Sequence, residues 1–384
     1  MRKILFAINI ILAIALAATA YAGVMNPVSY HYLSLIGFAF PVMAVANIIF
    51  IPLWLIADRQ KTLLPIAALA IVWSPLREYA PVNIDRQPPE GSIKVLTYNT
   101  LGMGMERATP EEREQPSKVL SYLIHSGADI ICLQEYSYLA GQDSLWNIVD
   151  SIYAHRDTIV TNAVCRDVSE TVAIFSKFPI IRKEHIPIYT RGNSIGAFVL
   201  NIKGEEVHVV NAHLETVGLS YADKDVIDSM RHMQMPIREM IPAAKRIVRK
   251  VKASSALRSP QADAVYAYIR VHQGRSMIVC GDFNDHPLSY VHQTIQSSLT
   301  DCHRTAGLGT DFTYPTMKVR IDNILCSNHW KPYRCRVDRS ITASDHYPMS
   351  TYLAPIIPSP PPFVMRQLHA PAPLSPAPAP APSV

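Results

Sequence analysis

One stretch of the sequence decides the fold class of most of the chain: SMIVCGDFN, at residues 276–284. Its first six residues are small or apolar and include β-branched side chains, which is typical of a buried strand. The stretch ends in Asp282 and Asn284, whose side chains can bind a metal ion or a phosphate group. It therefore predicts a strand that carries polar side chains to the edge of a sheet.

Five further segments place polar side chains beside an apolar strand in the same way. They are 93–98 before Asn99, 129–134 before Glu135, 207–210 before Asn211 and His213, Arg320-Ile321 before Asp322, and Ser344-Asp345-His346 before 349–352. Helical patterns at 117–126 and 261–271 lie between them. Strands buried on both faces that alternate with helices predict an α/β domain, and strand ends at one sheet edge can converge on one pocket.

The composition excludes several classes of protein. With 49% hydrophobic and 17% charged residues among 384, the chain is neither disordered, collagenous nor a coiled coil. A net charge of +5 is modest and does not by itself indicate a nucleic-acid partner. The six cysteines are too few for a disulfide scaffold, and Cys132, Cys280 and Cys326 lie in apolar runs where we expect buried thiols.

Residues 1–78 are predicted to be a membrane segment with about three transmembrane helices. The first apolar run follows Arg2 and Lys3 and is long enough to cross a bilayer. A cleaved signal peptide is the alternative, but a retained helix is favoured because two more apolar segments follow. The second, at 32–57, can span with tilt. The third, at 63–73, is short, and an interfacial or core helix is its alternative.

The distribution of basic residues predicts the topology. Arg2 and Lys3 precede the first segment and Arg59 and Lys61 lie between the second and third, whereas the first connection contains neither Lys nor Arg. Basic residues of this kind face the cytoplasm. Three crossings then place the rest of the chain outside, which in a bacterial cell predicts a multi-pass inner-membrane protein with its main domain in the periplasm.

The remaining boundaries follow from proline content. Residues 79–91, with Pro88-Pro89, are predicted to be an extended linker, and the main domain covers 92–353. Residues 354–384 contain 11 of the 30 prolines and alternate Pro with Ala, which predicts a disordered tail. This tail could bind a proline-recognising partner, but an inert extension is favoured.

The polar residues at the strand ends are suited to one kind of chemistry, the binding of a divalent cation and a phosphate group. Carboxylates and amides are hard oxygen ligands, which favour Mg²⁺, with Mn²⁺ as the alternative, over Zn²⁺. Two histidines add donors that can stabilise charge on a phosphate, and no Ser or Cys nucleophile lies beside a base, so the nucleophile should be water. The residues are Asn99, Glu135, Asp282, Asn284, Asp322 and Asp345, with His213 and His346.

These motifs, in this order, resemble the endonuclease/exonuclease/phosphatase superfamily, which includes deoxyribonuclease I, inositol polyphosphate phosphatases and neutral sphingomyelinases. The resemblance covers about residues 93–353. It implies a four-layer α/β sandwich of two mainly antiparallel sheets flanked by helices, and a metal-dependent phosphoesterase. The motifs are Tyr98-Asn99, Leu133-Gln134-Glu135, Asn211-Ala212-His213, Gly281-Asp282-Phe283-Asn284, Arg320-Ile321-Asp322 and Ser344-Asp345-His346.

The resemblance also implies roles for these residues. Asp282 would orient or deprotonate the attacking water, and Asn284 would contact the phosphate. His346 would contact the scissile phosphate, with Asp322 as its carboxylate partner, and His213 would contact the phosphate or act as an acid. Metal binding is implied for Glu135, with Asn99 beside it and Asp345 near the metal, and we assign Asn211 and Arg320 to substrate binding.

The substrate stays open at this point. A nuclease-like phosphodiesterase is favoured, with a phospholipid or sphingolipid phosphodiesterase or an inositol or sugar phosphatase as alternatives, and a non-catalytic membrane scaffold is less favoured. No obligate protein partner is predicted. A basic helical stretch at 231–258 could contact DNA or an anionic bilayer, or present a solvated face, and we expect Arg246, Arg249 and Lys250 to face an anionic surface.

Overall fold

The computed structural model describes residues 1–106, 108–160 and 171–356. The predicted tail therefore lies outside the described residues, except for its first three positions. The α-helices of the described part are α1 (Arg2–Ala20), α2 (Phe40–Ala57), α3 (Leu63–Ile71), α4 (Trp73–Tyr79), α5 (Pro110–Arg113), α6 (Lys118–His125), α7 (Asp143–Ile152), α8 (Tyr221–Arg231), α9 (Ile237–Val271), α10 (Tyr290–Gln296) and α11 (Cys302–Ala306).

The strands include five of the six segments selected from the sequence, whereas Arg320-Ile321 lies outside a strand and Asp322 begins one instead of following it. The strands are β1 (Ile93–Asn99), β2 (Ile130–Tyr136), β3 (His155–Val160), β4 (Thr171–Ser176), β5 (Ile180–His185), β6 (Ile195–Ile202), β7 (Glu205–His213), β8 (Ser276–Asp282), β9 (Thr300–Asp301), β10 (Asp322–Cys326), β11 (Trp330–Val337) and β12 (Met349–Pro355).

The strands form two six-stranded sheets, ordered β11-β12-β1-β2-β4-β3 and β5-β6-β7-β8-β10-β9. Each sheet has one parallel pair at its centre, β1 with β2 and β7 with β8. The other pairings are antiparallel. The prediction of two mainly antiparallel sheets is confirmed.

The sheets pack face to face, and helices cover their outer faces. Val95 of the first sheet and Phe198 of the second belong to one apolar core between the sheets. Leu120 of α6 packs on the outside of the first sheet, and Val265 of α9 packs on the outside of the second. Apolar side chains are thus buried between the two sheets and between each sheet and its helices, and this burial holds the four layers together.

The glycine of the sequence GDFN is required by the close approach of two strands. Gly281 has φ +136°, a value that other residues rarely adopt, and a Cβ atom there would collide with the backbone of Ala212 on β7. Only glycine allows β8 to pair with β7 at this point. The register then brings Asp282 opposite His213.

The N-terminal helices form a bundle in which α1 and α2 run antiparallel. The Trp54 indole donates to Asn9 Oδ1 over 2.9 Å, and the Asn47 amide donates to the carbonyl of Leu12 over 3.1 Å. Helix α3 packs against both α1 and α2. Two segments in the described part, Arg2–Val24 and Leu33–Ala57, are long and apolar enough to cross a membrane.

The third apolar segment, predicted at 63–73, is short, as its sequence indicates. Helix α3 contains nine residues, which at about 1.5 Å per residue is too short to cross a bilayer alone. The helical course breaks at Val72, and α4 follows directly. Together α3 and α4 lead the chain from the far end of α2 back to the main domain.

The predicted linker is extended, but the main domain holds it in place. Asn83 donates to the carbonyls of Arg304 and Gly307 over 3.0 and 2.8 Å. Asp85 forms ion pairs with Arg334 and Arg336. The bundle and the main domain are therefore joined by a fixed segment of chain.

Candidate active site

The central strands of both sheets end at the same place. Asn99 closes β1 and Glu135 lies near the end of β2, while His213 closes β7 and Asp282 closes β8. Because each pair is parallel, both ends of a pair reach the same sheet edge. The Asn99 amide joins the two sheets there, since it donates to Glu135 Oε1 over 2.9 Å and to Asp282 Oδ2 over 3.1 Å.

Asp282 lies at the centre of this group and is buried. It accepts hydrogen bonds from the Asn284 backbone N–H over 2.8 Å and from the Asn284 side chain over 3.2 Å. The Nε2 atoms of His213 and His346 lie 3.7 and 3.8 Å from its Oδ2. Burial and the nearby Asp322 carboxylate raise the pKa of Asp282 against the opposing effect of the two histidines. A carboxylate with a raised pKa is a better proton acceptor near neutral pH.

Two of the site residues have unusual backbone conformations. Glu135 has φ +50° and Asn284 has φ +53°, both in the left-handed region that non-glycine residues seldom adopt. Such strain is retained where the surrounding structure fixes it, and it clusters at functional sites. Here it turns the Glu135 side chain into the cleft and brings Asn284 back onto Asp282.

His346 and Asp322 form a buried pair. His346 Nδ1 lies 2.9 Å from Asp322 Oδ2. Burial disfavours the imidazolium, but the Asp322 and Asp282 carboxylates and the hydrogen bond to Asp322 outweigh it and raise the pKa of His346 to about 10. The ring is therefore held as a cation at neutral pH, with its other nitrogen towards Asp282.

The sequence Ser344-Asp345-His346 is anchored to the end of β1. The Ser344 hydroxyl donates to the carbonyl of Asn99 over 2.8 Å and accepts from the backbone N–H of His346 over 3.1 Å. Asp345 forms an ion pair of 2.7 Å with Lys224 of α8. Lys224 belongs to a helix without any of the sequence motifs. Its ammonium group gives Asp345 a cationic partner, which the prediction of a metal-binding role for Asp345 did not consider.

Asn211 has a different position from the one expected of a substrate-binding residue. It is fully buried between the sheets, where its amide donates to the carbonyls of Leu133 and Ala173 over 3.0 and 2.9 Å. Gln134 donates to Asn211 Oδ1 over 2.6 Å. Asn211 therefore cross-links the sheets behind the site, outside the residues that line the cleft.

Arg320 also lies away from the cleft. Its guanidinium forms a buried ion pair of 2.9 Å with Asp301 and donates to the carbonyl of Glu78 in α4 and to Asn323. Asp301 keeps its charge here, because Arg320 outweighs burial and lowers the pKa of the carboxyl. The substrate-binding assignment of Arg320 does not match these contacts, which join the N-terminal helices to the start of β10.

The site opens into a cleft of about 280 Å³. Glu135, Asp282, Asn284, Asp345 and His346 line it, as the sequence analysis predicted for one shared pocket. Several lining residues carried no signal in the sequence, because they reach the cleft from distant elements. They are Phe38, Lys224, Val251 and Tyr314.

The donor set fits a hard divalent cation. The carboxylates of Glu135 and Asp282 are linked through the single amide group of Asn99, so both approach one point of the cleft. Oxygen donors of this kind suit Mg²⁺ or Mn²⁺. Asp282, Asp322 and His346 also form a compact group of ligand atoms, but the last two are already bonded to each other. Glu135 with Asn99 is the better candidate.

Comparison with known proteins agrees with this geometry. A sequence model described as the endonuclease/exonuclease/phosphatase family matches residues 96–346, and one described as a domain of unknown function (DUF8431) matches residues 2–79. No curated protein sequence matches the chain.

Solved structures with a similar chain course include the catalytic domain of human nocturnin with bound sulfate, at 18% identity and a TM-score of 0.48, covering 71% of this chain and 97% of that one. Sphingomyelinase C from Streptomyces griseocarneus has 19% identity and a TM-score of 0.43, and the match covers 69% of this chain and 99% of that one. An endonuclease/exonuclease/phosphatase from Bacteroides vulgatus has 16% identity and a TM-score of 0.44, and the match covers 70% of this chain and all of that one (100%).

The family match runs from the end of β1 to His346 and so includes every residue that the fold brings to the cleft from the two sheets. The chain belongs to the endonuclease/exonuclease/phosphatase family of metal-dependent phosphoester hydrolases.

Proposed function

We propose that this protein is a membrane-anchored phosphodiesterase that uses a divalent cation and attacks phosphorus with water. The observation that carries the proposal is the convergence of Asp282, Glu135 and the His346–Asp322 pair in one cleft. An acceptor for the proton of water, a carboxylate for a cation and a fixed imidazolium are the groups that such a reaction uses.

Asp282 is the group that orients the attacking water and accepts its proton. Its raised pKa favours this role, and the two hydrogen bonds from Asn284 fix its orientation. The new bond forms between the water oxygen and phosphorus, and the bond from phosphorus to the leaving oxygen breaks. The imidazolium of His346 stabilises the negative charge that develops on the phosphoryl oxygens.

Glu135, oriented by Asn99, is the residue that would hold the cation. A bound Mg²⁺ polarises phosphoryl oxygens and neutralises their charge. The Asn284 amide donates to Asp282 Oδ2 and to the carbonyl of Leu214, the latter over 2.9 Å, so in this proposal it positions Asp282 rather than the phosphate. A non-catalytic scaffold is disfavoured, because each of these groups is in place and hydrogen-bonded.

The anchor in this proposal consists of α1, α2 and the α3–α4 segment, which makes the third crossing. The basic residues Arg2, Lys3, Arg59 and Lys61 belong to one end of the bundle, since the Lys61 ammonium lies 5.3 Å from the Phe6 ring. The opposite end packs on the catalytic domain. The positive end faces the cytoplasm by the usual rule, which places the catalytic domain on the outer side, the periplasm of a bacterial cell.

The test is metal-dependent turnover of bis-(p-nitrophenyl) phosphate by the full-length protein in detergent. We expect activity with Mg²⁺ or Mn²⁺, none in excess chelator, and a loss of at least about a hundredfold in Glu135→Gln, as for other removed transition-state contacts. Glu114→Gln is the matched control, because Glu114 is exposed and lies outside the cleft. Full activity in chelator, or in Glu135→Gln at saturating Mg²⁺, would contradict the proposal.

A further inference from the structure

The first half of α9 presents an exposed apolar stripe. Ile237, Ile241 and Val248 are 78%, 54% and 44% exposed. At about 100° per residue these three positions lie within roughly 40° of one another around the helix. Basic side chains flank the stripe on the same surface: Arg238, Lys245, Arg249 and Lys252. An apolar stripe bordered by Lys and Arg is typical of a helix that lies on an anionic bilayer.

The stripe is continuous with the connection between α1 and α2. The Lys252 ammonium lies 4.3 Å from the Tyr32 ring in this connection, and Ser259 contacts Asn26 at 3.4 Å. Lys252 is about 60° around the helix from Ile237, so it marks the side on which the stripe lies. The connection exposes further aromatic side chains, including Tyr30, and aromatic residues of this kind concentrate at membrane surfaces.

The catalytic cleft opens between these two surfaces. Val251 of α9 lines one side of it, and Phe38 of the α1–α2 connection lines another. The Phe38 ring lies 4.3 Å from the ring of His286, two residues after Asn284. Gly23 in the same connection packs against the carbonyl of Leu288, at a distance that leaves no room for a side chain. The mouth of the cleft thus lies beside the end of the helix bundle that packs on the main domain.

The structure corrects part of the expectation for the basic stretch. Arg246 and Lys250 are paired with Asp223 of α8, at 3.1 and 2.6 Å, and Lys250 also donates to the carbonyl of Gly218. Those two side chains hold α8 and the 218–219 loop against α9. Of the three predicted residues, Arg249 is the one nearest to the apolar stripe around the helix.

We propose that the first half of α9 lies on the anionic surface of the bilayer that holds α1 and α2, and that the cleft beside it takes a phosphoester of a lipid head group. This inference rests on the proposed function of an anchored phosphodiesterase. DNA is disfavoured as the occupant, because its phosphate backbone offers nothing to an apolar stripe. In the reaction, water adds to phosphorus, the bond from phosphorus to one alcohol oxygen breaks, and that oxygen takes up a proton.

The test compares two activities of full-length protein in nanodiscs. The discs contain phosphatidylethanolamine, phosphatidylglycerol and phosphatidylinositol, and ³¹P NMR follows loss of lipid phosphodiester. The soluble probe is bis-(p-nitrophenyl) phosphate in the same samples. The variant is Ile237→Ser/Ile241→Ser/Val248→Ser. Its control, Ile148→Ser/Ile181→Ser/Val271→Ser, replaces the same residue types at exposed positions on α7, β5 and the far end of α9.

We expect the stripe variant to lose at least tenfold in lipid turnover and to keep its turnover of the soluble probe, while the control keeps both. Turnover of the soluble probe without lipid turnover in the wild type would overturn this inference and leave the proposed function intact. Equal lipid turnover in the stripe variant and the wild type would overturn it as well. The inference would also be overturned if the wild type cleaved plasmid DNA but no lipid, and the stripe variant lost this DNA cleavage. Failure with both probes would refute the proposed function itself.

Discussion

Replacing His346 with alanine should remove the cation that, in the proposed mechanism, stabilises charge on the phosphoryl group. The pKa of His346 is raised to about 10, against about 6.5 for a free imidazole. At about 1.36 kcal/mol per unit, its surroundings favour the cation by about 5 kcal/mol. Part of this preference comes from Asp322, 2.9 Å away, and part from Asp282. The charge acts mainly on the transition state, so kcat should fall by about a hundredfold or more while KM changes little.

Asp322→Asn tests whether the two residues act as one unit. This variant keeps the size of the side chain and removes its charge, so it should lose less than His346→Ala. It should add little further when the two are combined, because the coupling energy of a contacting pair appears as non-additivity. The raised pKa means that the imidazolium is present below about pH 10 and lost above it. In Asp322→Asn the alkaline limb of the kcat profile should move towards lower pH.

The assay is steady-state hydrolysis of bis-(p-nitrophenyl) phosphate by full-length protein in detergent, with circular dichroism to confirm folding. His208→Ala is the control, since His208 is a buried histidine of β7 that pairs with Tyr268 outside the cleft. If the double variant shows the product of two independent losses, or if the alkaline limb stays in place in Asp322→Asn, the pairing described here does not operate in catalysis.

Three further predictions concern stability and topology. Asn211→Leu should lower the free energy of unfolding by about 1–3 kcal/mol, because it leaves buried carbonyls of β2 and β4 in the opposite sheet, and the Gln134 amide, without their partner. Urea unfolding measures this change, and an unchanged midpoint would contradict the cross-link. Burial lowers the pKa of His286 to about 4, so between pH 6.5 and 4 the unfolded chain takes up a proton that the native chain does not. The free energy of unfolding should therefore decrease as the pH is lowered through this window, and His286→Phe should make this pH dependence weaker. An alkaline phosphatase fusion after Gly91 should be active and a green fluorescent protein fusion there dark, and the reverse pattern would place the catalytic domain in the cytoplasm.

The strand ends could be predicted from the sequence because local patterns encode them. A strand buried on both faces is mostly apolar, so the polar side chains that follow an apolar run mark its end, as at Asn99 and Asp282. The same rule located Glu135 and His213. Parallel pairing at the centre of each sheet then brought these ends together, and the order of the motifs supplied the rest of the catalytic group.

The contacts of Asn211 and Arg320 could not be predicted, because their partners lie far away in the sequence. Arg320 binds the carbonyl of Glu78, which is 242 residues distant. The length of α9 was also underestimated, since 231–258 and 261–271 were treated as separate helical patterns, whereas one helix, Ile237–Val271, runs through Pro260 between them. Tertiary contacts override the proline: Arg258 pairs with Asp285, and Gln261 bonds to the backbone of Glu215.

The N-terminal segment is structurally part of the catalytic domain. The buried Glu78 of α4 forms an ion pair with the half-buried Arg304 over 2.8 Å. The carbonyl of Glu78 accepts from Arg320, whose side chain also contacts Asn323 next to Asp322. One end of the segment therefore supports the strand that carries the partner of His346. The other end supplies Phe38 to the wall of the cleft and packs on the loop that follows Asn284. A tether that only located the enzyme would require neither contact. Removal of residues 1–78 would expose Leu288 and His286 and take away one wall of the cleft, so a main domain cut at the linker would lack part of the site that the proposed reaction uses.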